Sequence, residues 1–87
     1  MATYIVSCDV GSDGDIDGLL NAINRFAESQ QVTNFTWAVV TNTSAKEIRD
    51  RLGDFIGQQG HLFVVKSGIE GAWRRSLAPN EWLKEHL

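Results

Sequence analysis

Residues 3–27, TYIVSCDVGSDGDIDGLLNAINRFA, contain the change of period on which the fold turns. The opening TYIVSCD is β-branched and aromatic and runs into Gly11-Ser12, which predicts a strand over residues 3–9. Ile16, Leu19, Leu20, Ile23, Phe26 and Ala27 then fall at i, i+3, i+4, i+7, i+10 and i+11, one apolar stripe on a helix. Ser12 or Asp13 is placed to cap that helix. Asp15 and Asp17 stand where the positive end of its dipole favours carboxylates.

The rest of the chain repeats the theme. Residues 35–41 (FTWAVVT) read as a second strong strand, and residues 30–33 (QQVT) as a short partner turned back at Thr33-Asn34. Ser44-Ala-Lys-Glu47 has the form of a capping box, in which serine oxygen and glutamate each satisfy a free backbone donor. Ala45, Ile48, Leu52, Phe55 and Ile56 continue it as a helical stripe that Gly57 or Gly60 can end. Residues 61–66 (HLFVVK) read as a strand, 67–76 as a glycine-containing connection, and 79–87 as a short terminal helix with proline in its first turn. Strand, helix, short strand, strand, helix, strand is the ferredoxin-like βαββαβ order of an α+β protein. The expectation is one domain over residues 1–87, an antiparallel sheet with two helices on one face, and a C-terminal tail over residues 66–87.

A half-solvated sheet alternates apolar and polar residues, and these strands do so poorly. Tyr4, Val6 and Cys8 oppose Ile5 and Ser7; Phe35, Trp37 and Val39 oppose Ala38 and Val40; Leu62 and Val64 oppose Phe63 and Val65. Two helices cover only one of those faces. The other calls for a second subunit, the tail carrying Trp73, Trp82 and Leu83, or both, because monomers rarely leave such a patch bare. A homodimer is expected.

Eighty-seven residues suit one small domain, which buries only about 60% of its unfolded surface. The formal net charge of −3 argues against bulk electrostatic capture of nucleic acid or of an anionic membrane. No apolar run approaches the roughly 18 residues of a membrane span, and residues 1–4 lack the basic start of a signal peptide. The single cysteine, Cys8, excludes an internal disulfide and a cysteine zinc cluster and suits a reducing cytosol, so a cytoplasmic location is expected.

Asp9 is the carboxylate of most interest, since it ends the first strand where the chain leaves the sheet. In a two-fold dimer two copies can share a divalent cation such as magnesium, which activates water against a phosphodiester. The plainer reading has Asp9 accepting a backbone donor in the Gly11-Ser12 turn. Asp13, Asp15, Asp17 and Gly18 match the first half of a calcium loop. Asn24 holds the position of the bidentate carboxylate, however, so the run reads as an acidic helix start. Trp73, Arg74 and Arg75 form the best nucleic-acid candidate, an aromatic to stack a base beside cations for a phosphate. The alternative packs Trp73 over the sheet and leaves the arginines in solvent. His61 and His86 lack ligand spacing and read as surface residues. Ser7, Ser12 and Cys8 have no histidine that sequence places beside them, so nucleophilic catalysis has no support.

The motifs Tyr4-Ile-Val-Ser-Cys-Asp9-Val, Thr36-Trp37-Ala-Val-Val, Ser44-Ala-x-Glu-Ile-Arg49-Asp-x-Leu52, Leu62-Phe-Val-Val-Lys66, Glu70-Gly-Ala-Trp73 and Asn80-Glu-Trp-Leu-Lys84 span nearly the whole chain. Together they resemble the small bacterial proteins labelled SinR-like. Those are similar in fold to the small CRISPR-associated subunit of the spacer-integration complex and to virulence-associated protein D. The resemblance implies a ferredoxin-like homodimer whose tail completes or crosses the partner's sheet, with Asp9 at the position of a nuclease metal ligand. Cys8 replaces the aromatic that commonly precedes that aspartate, and Asp13, Asp15 and Asp17 replace a basic first helix.

Three functions follow as expectations. The first is a non-catalytic dimeric scaffold or assembly subunit, favoured because one carboxylate per subunit on an acidic surface makes a thin active site. The second is a magnesium-dependent, toxin-like endoribonuclease using Asp9. The third, an RNA-binding module, ranks last because residues 35–40 (FTWAVV) lack the glycine and basic residue of the RNA-recognition pattern.

Overall fold

A computed structural model describes residues 1–68 and 70–87; the part of the expected 67–76 connection at residue 69 lies outside the described residues. β1 (Ala2–Asp9), α1 (Ile16–Ile23), β2 (Glu28–Thr33), β3 (Thr36–Thr41), α2 (Ala45–Gly53), β4 (His61–Lys66) and α3 (Asn80–His86) follow in chain order. The strands form one antiparallel sheet in the order β2-β3-β1-β4. The architecture is α+β, with the elements in the expected sequence.

Side-chain parity on the strands sorts the core. Tyr4, Val6 and Cys8 of β1 and Trp37 and Val39 of β3 join Leu19 and Ile23 of α1 and Ile48 and Leu52 of α2 in one buried cluster. Both helices therefore cover the same sheet face. Each fully buried aliphatic there, such as Leu19 or Ile48, contributes about 1.5–3 kcal/mol of transfer free energy. Among the described residues, four buried apolar ones lie outside that cluster: Ala38, Val40, Ala78 and Leu83. Ala38 and Val40 point to the sheet's far face, and Ala78 and Leu83 belong to the C-terminal tail. The tail thus crosses the far face of its own sheet.

Several local details differ from the expected ones. Asp15, not Ser12 or Asp13, caps α1, its carboxylate accepting the Gly18 N–H at 2.9 Å. The helix stops at Ile23, and Phe26 reaches the core (7% exposed) through a tight turn in which its N–H donates to the Ile23 carbonyl. Ile16 and Leu20 lie at the exposed margin of the stripe. β2 begins at Glu28, two residues before the expected start, because pairing with β3 recruits the polar Glu28 and Ser29 despite their weak strand preference. Ser44 caps α2 as expected, accepting from the Glu47 N–H at 3.1 Å, whereas the Glu47 carboxylate pairs with Arg51. α2 ends at Gly53, before Phe55 and Ile56, which still pack on the core from the following turn.

Asp13 has a different task. Its two oxygens accept the Gln58 and Gln59 N–H groups at 2.8 and 3.2 Å, fastening the loop before α1 to the loop before β4. The same seam carries Gly57 N–H to the Val10 carbonyl and Asp15 N–H to the Phe55 carbonyl, both at 2.9 Å. Gly11 lies inside it with φ of 80°, and a Cβ there would meet the Gln59 carbonyl carbon and the Gly60 nitrogen at 2.8 Å. Only glycine fits that backbone and that approach.

Candidate functional site

The tail divides the far face unequally. Towards β2 and β3 it is tightly held: the Leu77 N–H donates to the Val32 carbonyl at 3.0 Å, and the Ser76 hydroxyl to the same oxygen at 3.4 Å. The Trp82 indole N–H donates to Glu28 Oε1 at 3.1 Å. These contacts also occupy part of the outer edge of β2, a common protection for an edge strand. Towards β4 the cover ends. Ile5 pairs across the ladder with Val65, and Ser7 with Phe63. Phe63 is 64% exposed and Val65 45%, with Phe35 from the β2–β3 turn 59% exposed. Among the described residues, the outer edge of β4 receives no backbone hydrogen bond from the tail.

Asp9 stands at the end of this open strip. It is exposed, and its Oδ1 accepts the Gly11 N–H at 3.0 Å, which is the turn role anticipated from residue type. Its direct cross-strand partner is His61, also exposed. Asp9, His61, Ser7, Phe35 and Phe63 line one shallow depression of about 370 Å³. One carboxylate and one imidazole are two donors, short of a metal's needs, and no group of three His, Cys, Asp or Glu side chains gathers among the described residues. A cation at Asp9 therefore requires donors from water or a second chain. Cys8 adds none: it points into the core, where burial, and secondarily the Asp9 carboxylate, push its thiol up to about 11. It stays protonated at neutral pH and is a poor nucleophile or ligand.

Trp73, Arg74 and Arg75 lie elsewhere. Trp73 is half-buried, donates its indole N–H to Asn80 Oδ1 at 3.0 Å, and lines a cavity of about 480 Å³ with Ile5, Val65 and Leu83. Arg74 and Arg75 are exposed and make no ion pair among the described residues; Arg75 adopts a left-handed φ of 55°. Among the described residues, the two depressions share no lining residue. The nucleic-acid candidates and Asp9 are thus separate features.

Sequence reasoning passed over both histidines. His61 gains its place beside Asp9 only from the β1–β4 register, which local patterning does not reveal. His86 is half-buried rather than a free surface residue, stacked on Trp82 with ring centroids 4.3 Å apart. That spacing of four on a helix was a usable signal; its contact with Glu28 was not. No family model, curated protein or solved structure matches the chain. No helix among the described residues is long and apolar enough to cross a membrane.

Proposed function

We propose that this chain is a ferredoxin-like homodimer acting in the cytoplasm as a non-catalytic scaffold or assembly subunit, as its resemblance to the SinR-labelled proteins and the small CRISPR-associated integration-complex subunit implies. The strand order β2-β3-β1-β4, with both crossover helices packed on one face, supports the ferredoxin-like assignment. One observation carries the assembly reading: Phe63 and Val65 stay exposed on β4 with Phe35 exposed beside Phe63, and among the described residues the outer edge of β4 receives no backbone hydrogen bond from the tail. Unpaired edges and exposed apolar side chains on a sheet are where another chain docks. A second copy is the simplest occupant, because a two-fold axis lets the same strip cover itself.

Sedimentation equilibrium tests this. The wild-type chain is expected to be dimeric at micromolar concentration, and Phe63→Glu monomeric with unchanged far-ultraviolet circular dichroism. A wild-type chain that stays monomeric towards millimolar concentration overturns the proposal.

A second reading, the magnesium-dependent endoribonuclease, draws support from the Asp9–His61 pairing at the end of the same strip. A dimer formed through the strip would bring both copies of that pair to one interface, where two carboxylates can hold a hard cation. The RNA-binding reading has less behind it, since the Trp73 indole is already engaged by Asn80.

A further inference from the structure

Both ring nitrogens of His86 face oxygen acceptors. Nδ1 lies 2.9 Å from the Trp82 carbonyl oxygen, and Nε2 lies 3.2 Å from Glu28 Oε2. Carbonyl and carboxylate oxygens only accept, and a neutral imidazole has one N–H to give. Either neutral tautomer therefore turns a nitrogen lone pair towards an oxygen. Only the imidazolium donates to both.

The arrangement spans two distant parts of the chain. Glu28 opens β2, whereas Trp82 and His86 sit one turn apart on α3. The Glu28 carboxylate takes the Trp82 indole N–H on one oxygen and the His86 ring on the other, while the two rings stack at 24°. We propose that Glu28, Trp82 and His86 form a proton-operated latch that holds the C-terminal tail across the far face of the sheet when His86 is protonated and loosens it when His86 is neutral.

The surrounding acceptors and charges favour the protonated form. The Trp82 carbonyl raises the His86 pKa most, followed by Glu28, through its hydrogen bond and its charge, and then by Glu85 on the same helix; partial burial opposes them. The charged groups that act on the ring among the described residues, Glu28 on β2 and Glu85 on α3, are both carboxylates. Because the folded-state pKa lies above the ordinary 6.5, the latch contributes fully below about pH 6.5 and is lost as pH rises through the raised value. The element it biases is the tail, whose Leu83 and Ala78 are buried over the face that carries Ala38 and Val40. Loosening the tail exposes that face. The latch does not depend on the oligomer proposed above.

Ring-nitrogen NMR of the full chain between pH 5 and 9, paired with amide exchange protection factors, tests the latch. His86 is expected to be doubly protonated at pH 6 and to titrate above free histidine. Protection of the α3 amides is expected to fall several-fold across that midpoint while β1 and β3 amides hold. Glu28→Gln keeps an acceptor for the Trp82 indole but removes the charge; it is expected to lower the His86 midpoint. His86→Gln is expected to make α3 protection independent of pH. A His86 midpoint at or below that of free histidine, or equal α3 protection on both sides of it, overturns the latch.

Discussion

Asp9 and His61 face each other across the β1–β4 ladder, at the end where the sheet opens into the Gly11 turn. The pairing joins a residue chosen for its place at a strand end with one that sequence spacing gave no role. It also fixes how Asp9 can be tested, because one of its oxygens is already committed to a backbone donor.

Asp9→Asn retains an oxygen for the Gly11 N–H, so fold and oligomeric state are expected to be unchanged. Asp9→Ala removes the acceptor and is expected to cost about 1 kcal/mol in urea unfolding. With magnesium and RNA, the scaffold reading expects intact RNA from both the wild-type chain and Asp9→Asn. Cleavage by the wild type that is absent from Asp9→Asn transfers the chain to the nuclease reading.

The Asp13 seam gives a pH signature at the acid end. Hydrogen bonds from the Gln59 and Gln58 amides hold its carboxyl below the ordinary carboxylate value of 3.8. A depressed folded-state pKa means stability that is present above about pH 4 and lost as pH falls through the lowered value. Asp13→Asn is expected to be less stable at neutral pH and to show a shallower acid dependence, read from thermal melts between pH 2 and 7.

Cys8 should be chemically quiet. With its thiol near 11 and its side chain in the core, reaction with a disulfide reagent at pH 8 is expected to require opening of the fold. Labelling of the native chain is expected to be slow, and to become fast in denaturant. Rapid native labelling would contradict the burial.

Leu83 anchors the tail at 1% exposure. Leu83→Ala is expected to cost about 2–5 kcal/mol, the range for a large-to-small change at a buried site. Tail amides should lose exchange protection before those of β1 and β3. A loss below about 1 kcal/mol would mean that the tail contributes little to covering the sheet.

The order of strands and helices was legible because each element states its own period. The β-branched and aromatic run TYIVSCD, the stripe from Leu19 to Ile23 and the Ser44 cap are local signals, and β4 starts and ends at His61 and Lys66 as expected. Boundaries slipped where a partner overrode propensity, as with Glu28 and Ser29 drawn into β2. Asp13 was misplaced for the same reason. Its sequence position suits a helix cap, yet its bonds go to amides on a loop before β4.

The sequence alone determined that the sheet would be apolar on both faces, since side-chain alternation along a strand is a property of the backbone. Tertiary structure decided what covers the second face, and how far. The tail lies in cis over Ala38 and Val40, because Leu77, Trp82 and His86 find acceptors along β2, and it leaves Phe63 and Val65 exposed. Register set His61 beside Asp9, and the docking of α3 brought His86 to Glu28. Contacts between residues far apart in the chain depend on how whole elements dock, and no local pattern encodes that.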